Sequence, residues 1–224
     1  KLLILDAGHC LNLALARVAH RRSDTELVIE PGTAIDVAYL RELRPDAVII
    51  PPLSAPMEIE PAAVVSHGEG VDIALAACRE TDTPLVWCVS DQLYQDGFDT
   101  PIDEHVIPAP RDESLRRLIA IGDRIRSSHP RHLIVRLGPL FALEGGHAWL
   151  SGVIDSLMGG EDVRAAQDVI FCPTSADAVA MALIGMLHQL GCGSTAWGAY
   201  HLAGTEPVSA YTFTTMVRTN FNST

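Results

Sequence analysis

Residues 1–19 constrain the fold of this chain more than any other stretch. Residues 2–5 (Leu-Leu-Ile-Leu) are an uninterrupted apolar run, which is typical of a strand covered on both faces. A short polar turn follows, and the pattern from Asn12 onward predicts a helix. Strand, tight turn and helix in this order open nucleotide-binding α/β folds, in which the helix N-terminus offers N–H groups to a pyrophosphate.

The turn lacks most of the glycines that let a cofactor approach the backbone in such folds. A G-x-x-G-x-x-G frame puts Asp6, His9 and Asn12 at the glycine positions, and a G-x-G-x-x-G frame retains only Gly8. Asp6 would also place a carboxylate beside an anionic ligand. The sequence therefore indicates the fold more clearly than the cofactor. The candidate cofactor contacts in this turn are Gly8, His9, Cys10 and Leu11.

Predicted strands alternate with predicted helices along the chain. Strands are predicted at 26–30, 46–50, 85–89 and 132–137, and helices at 38–43, 64–79 and 115–125. This alternation predicts an α/β fold with a doubly wound (Rossmann-like) parallel sheet. Further elements are predicted at 148–158, 169–171, 175–190, 200–203 and from 210 onward. We expect a Rossmann-like domain over 1–145 and a small, partly interleaved, substrate-type subdomain over 146–224.

Composition narrows the class of protein. The 224 residues are 48% hydrophobic and 20% charged, which suits one large α/β domain with a small appendage. A net charge of -12 argues against nucleic acid or an anionic membrane as a partner. Five widely spaced cysteines without a C-x-x-C pair indicate buried thiols of a reducing compartment, so we expect a cytoplasmic protein. The nine histidines lack ligand spacing, and no metal site is predicted.

Glu30 ends the second predicted strand about 20 residues after the turn, where dinucleotide folds place a carboxylate for the ribose hydroxyls. This spacing favours NAD over NADP. The alternative is a solvated charge at the end of a strand.

The long acidic loop over 94–110, which contains proline and glycine, is predicted to lie at the surface and is a candidate lid.

Four segments, in register, resemble the dTDP-4-dehydrorhamnose reductases, sugar-nucleotide members of the extended short-chain dehydrogenase/reductases. Residues 44–50 resemble the family's R-P-D-x-[IV]-[IV] strand, and residues 89–97 resemble its S-T-D-Y-V-F-x-G segment. Residues 173–177 resemble a P-T segment that opens a substrate-domain helix, and 198–204 resemble G-x-Y-H-x-x-G. Their order and separations also fit the family.

The resemblance implies hydride transfer from NAD or NADP to a keto-sugar carried on a nucleotide. In the family a Tyr of a Y-x-x-x-K pair donates the proton, the Lys lowers the pKa of that Tyr, and a Ser or Thr polarises the carbonyl. Ser90 falls on the Ser/Thr position and is the catalytic candidate. The pair itself is missing in both alignments, which give Leu115 with Ile119, or Ser114 with Leu118. Because this pair is absent and the first turn lacks most of its glycines, we expect cofactor binding to be weak or lost.

The resemblance also implies further contacts. It puts Pro51 beside the cofactor, and on the substrate side it puts Asp91, Arg136, Asp168 and Pro173. Two functions follow. The first is a protein that binds a nucleotide sugar or a dinucleotide without standard reductase chemistry, as a homodimer or as a regulatory subunit of another enzyme; the non-catalytic subunit of methionine adenosyltransferase is such a relative. The second is a divergent NAD(P)-dependent reductase of a nucleotide-linked 4-keto-6-deoxy sugar that uses an unusual acid, for which Tyr94 is a candidate.

Overall fold

A six-stranded parallel sheet forms the centre of the protein. The computed structural model describes residues 1–6, 9–31, 35–53, 60–94, 101–142 and 148–221. The spatial order of the strands is β2-β1-β3-β4-β5-β9, and every neighbouring pair is parallel. Their bounds are β1 Leu2–Asp6, β2 Leu27–Pro31, β3 Ala47–Ile50, β4 Leu85–Ser90, β5 His132–Leu137 and β9 Gly198–Leu202. The predicted doubly wound α/β fold is confirmed.

Helices cover both faces of the sheet, and short strands form two small ladders outside it. The helices are α1 Cys10–His20, α2 Val37–Leu43, α3 Pro61–Thr81, α4 Glu113–Ser128, α5 Ala148–Met158, α6 Ala176–Gly191 and α7 Ala210–Phe221. A 3-10 helix, Asp91–Tyr94, follows β4 directly. Two-residue strands form two small ladders, β6 Leu140–Phe141 with β8 Thr174–Ser175 and β7 Ile170–Phe171 with β10 Val208–Ser209.

Local chemistry explains where several helices begin and end. Asp112 caps α4 by accepting a hydrogen bond from the Leu115 N–H at 3.0 Å, and Ser175 caps α6 in the same way. α2 ends at Arg44, which adopts the left-handed conformation immediately before Pro45. The hydrophobic pattern predicts these helices, and the capping side chains determine the first residues of α4 and α6.

Two hydrophobic clusters flank the sheet, one on each face. Ile4 packs with α1 and α6, whereas its neighbour Leu3 packs with α3 and α4, because successive strand residues point to opposite faces. All residues of β3 and β5 are buried. This burial on both faces is the physical reason why β3 is an uninterrupted apolar run in the sequence, whereas β5 also contains the buried polar residues His132 and Arg136.

The topology identifies one edge of the sheet as the place for a ligand. The strand order reverses between β1 and β3, and open α/β sheets bind ligands beyond the carboxyl ends of their strands near such a point. β9 comes from the region predicted as a partly interleaved subdomain, and it pairs with β5 along its whole length. Among the described helices, none is long and apolar enough to span a membrane.

Candidate ligand-binding site

Polar residues of three strands lie at the carboxyl ends of β4, β5 and β9. Ser90 is the last residue of β4 and pairs with Leu137 of β5. Arg136 pairs with Val89 on one side and with His201 of β9 on the other. Parallel pairing in this register places Ser90, Arg136 and His201 at the same edge of the sheet.

Ser90 and Asp91 form a compact turn at the end of β4. The Ser90 hydroxyl donates to Asp91 Oδ1 at 3.4 Å and accepts from the Gln92 N–H at 3.2 Å. Asp91 is half-buried, and desolvation raises the pKa of its carboxyl group to about 6, although the Ser90 hydrogen bond acts in the opposite direction. A carboxyl group with this pKa is mostly ionised at neutral pH but takes up a proton at a higher pH than an ordinary aspartate does.

Arg136 is the centre of a polar cluster and is only 7% exposed. Its Nη1 atom donates to the Tyr94 hydroxyl at 2.6 Å and to His201 Nε2 at 2.9 Å. The guanidinium group also lies over the Tyr94 ring, 5.6 Å from its centroid. Among the described residues, no carboxylate lies within ion-pairing distance of Arg136, so neutral acceptors satisfy this buried cation.

Two members of this cluster, His201 and Glu104, were not predicted as site residues from the sequence. The carboxylate of Glu104 accepts a hydrogen bond from the His201 backbone N–H at 2.9 Å, which lowers the pKa of Glu104. His201 stands in the segment that resembles G-x-Y-H-x-x-G, so that motif carried the signal for it. Glu104 is one of several acidic residues in its loop, and no pattern distinguishes it.

The candidate cofactor residues at the start of α1 point mostly into the protein. Cys10 and Leu11 are 2% and 0% exposed, and burial raises the pKa of the Cys10 thiol. The His9 ring accepts a hydrogen bond from the Leu11 N–H at 3.1 Å. One amide at the helix N-terminus is thereby occupied by a side chain of the protein itself. Gly8 lies outside the described residues.

The remaining predicted cofactor residues lie on β2 and after β3. The Glu30 carboxylate accepts a hydrogen bond from the Tyr39 hydroxyl at 3.0 Å. The pKa of Tyr39 is raised mainly by burial and, to a smaller extent, by this contact. Pro51 follows β3 directly and is buried. Both residues sit at the carboxyl ends of strands next to the β1 and β3 switch point.

The predicted substrate residues are not gathered in one place. Asp168 is exposed in the segment before β7, and within the described chain no hydrogen bond joins it to Arg136. The backbone carbonyl of Pro173 instead lies against Gly204, where a Cβ atom would collide with it. The Gly204 N–H donates to Thr174 Oγ1 at 2.9 Å. Pro173 therefore lies at a close backbone approach between two segments.

The face of α4 that would carry the Tyr/Lys pair is packed into the core. Leu115 is 2% exposed and Leu118 is 3% exposed, and both belong to the cluster that contains Trp87. Ser114 is also buried, and Ile119 packs partly against the same cluster. In the part of the chain that the structure describes, no three His, Cys, Asp or Glu side chains converge as a metal site.

A broad groove of about 1010 Å³ lies at the opposite edge of the sheet, near the amino ends of the strands. Charged residues and one indole line it, including Asp46, Asp82, Arg131 and Trp197. Ligands of open parallel sheets bind at the carboxyl ends of the strands, so the groove is not our candidate site.

Comparisons with known proteins agree with the fold and with the resemblance. A curated dTDP-4-dehydrorhamnose reductase of Sinorhizobium fredii is 23% identical over 212 residues, which cover 88% of this chain and 71% of the relative. The structure of dTDP-4-dehydrorhamnose reductase from Bacillus anthracis in complex with NADP superposes with a TM-score of 0.83 at 18% identity, covering 99% of this chain and 80% of that one.

Two further solved structures share the architecture. The Bordetella bronchiseptica enzyme WbmG in complex with NAD and UDP has a TM-score of 0.78 at 14% identity over 98% of this chain and 77% of its own. A dTDP-4-dehydrorhamnose reductase from Clostridium acetobutylicum has a TM-score of 0.81 at 16% identity, over 97% and 79%. The family model described as the RmlD substrate binding domain matches residues 56–224. This match covers more than half of the chain, which therefore belongs to the RmlD substrate binding domain family.

Proposed function

We propose that this protein binds a nucleotide sugar or a dinucleotide on a short-chain reductase scaffold and does not carry out the standard Tyr/Lys reductase step. The ligand would lie at the carboxyl edge of the sheet, where Ser90 and Asp91 stand at the end of β4 and Arg136 near the end of β5. Structures similar to this protein suggest the class of ligand, because the WbmG structure contains NAD and UDP and the Bacillus anthracis reductase structure contains NADP.

The composition of α4 carries this proposal. In one alignment Leu115 and Ile119 replace the Tyr and Lys, and in the other Ser114 and Leu118 replace them. Leu115 and Leu118 pack against Trp87 in the core. The leucine and isoleucine side chains can neither donate a proton nor lower the pKa of a neighbour, and neither alignment supplies a phenol or an amine. Proton donation contributes roughly 10²–10⁴-fold to such a reaction.

The start of α1 supports weak dinucleotide binding. The His9 ring takes the Leu11 amide that a phosphate oxygen would otherwise accept from. Cys10 and Leu11 can offer only backbone groups, because their side chains are buried. If a dinucleotide binds here, Glu30 would favour NAD over NADP, and its hydrogen bond to Tyr39 would hold the carboxylate in place.

Two measurements on the purified protein test the proposal. Fluorescence titrations with NADH, NADPH and a dTDP-linked sugar measure binding, and the absorbance of the reduced nicotinamide measures turnover with a dTDP-linked 4-keto sugar. We expect saturable binding of at least one ligand and no turnover. Turnover that disappears in Ser90→Ala would refute the proposal, as would the absence of binding of any of these ligands at millimolar concentration.

A second candidate function, a divergent NAD(P)-dependent reductase, is favoured by one contact. Arg136 Nη1 lies 2.6 Å from the Tyr94 hydroxyl, and this cation lowers the pKa of Tyr94 as the family's Lys does for its Tyr. Burial, however, is the larger effect and raises the pKa of Tyr94. The Tyr94 hydroxyl also donates to the Val106 carbonyl at 3.0 Å. Turnover in the wild type that is lost in Tyr94→Phe would support this function.

A binding role also suits the partners that the resemblance implies, a second copy of the chain or another enzyme that this protein regulates. Light scattering after size-exclusion chromatography measures the mass and distinguishes a homodimer from a single chain. A homodimer would give twice the mass of the 24.1 kDa chain.

A further inference from the structure

Residues 101–110, which we name the strap, cross the candidate site without regular secondary structure. Burial alternates along the strap. Half-buried residues are separated by exposed ones, and the half-buried residues are Ile102, Glu104, Val106 and Pro108. Neither hydrophobic cluster of the described core includes a strap residue. Contacts other than the hydrophobic core must therefore hold the strap in place.

Polar contacts to the edge of the sheet supply that attachment. The Glu104 carboxylate accepts from the His201 N–H at 2.9 Å, and the Glu104 carbonyl accepts from Arg136 Nη1 at 3.4 Å. The Tyr94 hydroxyl donates to the Val106 carbonyl at 3.0 Å. Glu104 and Val106 are thus bound by Arg136, Tyr94 or His201.

The hydrogen bond from Arg136 to the His201 ring requires the neutral form of that ring. Nε2 lies 2.9 Å from Arg136 Nη1, and because arginine can only donate, Nε2 must accept. Nδ1 then carries the single ring proton. A second proton on Nε2 would turn the contact with Arg136 into one between two donors that both carry positive charge.

We propose that His201 is the pH-sensitive centre of a clamp, which holds the strap on the sheet edge while the ring is neutral and releases it when the ring is protonated. The inference concerns the chain without ligand and is independent of the proposed function. Acidification would uncover Arg136, Tyr94 and the end of β5.

The charged groups around His201 oppose one another. Arg136 of β5 disfavours protonation, whereas Glu104 and Asp103 of the strap favour it, and Tyr94 of the 3-10 helix is neutral. Burial is the largest effect, and together with Arg136 it moves the pKa of His201 below its ordinary value of 6.5. The clamp is therefore closed at neutral pH, and release sets in only below the pH at which a free histidine is protonated.

Amide hydrogen exchange of the wild-type protein, read by mass spectrometry, tests the clamp. Exchange of the peptide covering 101–110 is compared at about pH 7.5 and about pH 5, after correction for the intrinsic rate, with α4 as the internal reference. We expect protection of the strap to fall at least about tenfold at the lower pH, while that of α4 is unchanged. Equal strap protection at both pH values would overturn the proposal.

Two variants assign the effect to one histidine. His201→Gln keeps an acceptor and a donor but does not titrate, so its strap should stay protected at the lower pH. His105→Gln is the matched control, because His105 is an exposed histidine of the strap itself, and it should behave like the wild type. If both variants lose protection as the wild type does, His201 is not the centre.

A measurement without substitution covers the case in which His201→Gln does not fold. The ring protons of His201 in the wild type are titrated by NMR, and the midpoint is compared with that of strap opening. We expect the two midpoints to coincide. A difference of more than about one pH unit would separate the opening from His201 and overturn the proposal.

Discussion

Asp91→Asn should stabilise this protein at neutral pH, because the native Asp91 carboxylate is held in an unfavourable environment. Desolvation raises its pKa from 3.8 to about 6, so the folded protein binds this proton more tightly than the unfolded chain does. The stabilising effect of the neutral form is complete below pH 3.8 and is lost as the pH rises through about 6. At neutral pH the ionised group therefore lowers the free energy of unfolding.

The magnitude follows from the same pKa values. A rise from 3.8 to about 6 corresponds to about 3 kcal/mol, at about 1.4 kcal/mol for each pKa unit. Because Asp91 is half-buried and keeps some contact with water, we expect about half of this, about 1–2 kcal/mol. The asparagine removes the ionisation but retains an oxygen that can accept from the Ser90 hydroxyl.

Urea unfolding followed by circular dichroism provides the assay. The gain in the free energy of unfolding should be present at about pH 7.5 and should nearly vanish at about pH 4, where Asp91 is protonated in the wild type. Asp162→Asn is the control, because Asp162 is exposed, and its effect should stay within about 0.5 kcal/mol. An Asp91→Asn protein that is no more stable at the higher pH, or whose gain is independent of pH, would refute the reasoning.

Two further substitutions test the packing around the site. Tyr94→Phe removes the acceptor of Arg136 and the donor to Val106, and should cost about 1–3 kcal/mol in urea unfolding, whereas Tyr211→Phe at a half-exposed position should change little. Gly204→Ala would drive a Cβ atom into the Pro173 carbonyl and should cost more than about 2 kcal/mol in the same experiment. Gly185→Ala, which meets open space inside α6, should instead stabilise by up to about 1 kcal/mol, and equal effects of the two alanines would contradict the predicted collision.

The residues of the candidate site came from different kinds of information. Ser90 and Asp91 were predicted because they end an apolar run inside a segment that resembles a family, and Arg136 was predicted because the same resemblance puts it on the substrate side. The roles of these residues stay predictions. The roles of Asp168 and Pro173 as substrate contacts stay predictions, and so do the roles of the candidate cofactor residues near the first turn. The domain boundary near residue 145 also stays a prediction. The cytoplasmic location also stays a prediction.

The secondary structure was largely determined by local sequence. The predicted strand at 132–137 and the predicted helix at 148–158 match β5 and α5 residue for residue. Such elements depend on the period of hydrophobic side chains, which a short window of sequence contains. Errors occurred where a polar side chain decides, as at α4, which begins at Glu113 because Asp112 caps it.

The polar cluster was decided only by the tertiary structure. Arg136 meets Tyr94 across 42 positions and His201 across 65, and His201 meets Glu104 across 97. These contacts exist because β5 lies between β4 and β9 in the sheet, so three strand ends that are distant in sequence share one edge. No local pattern contains that order. The amino-acid sequence by itself determined the elements and the family, whereas the arrangement of the strands determined which polar groups meet.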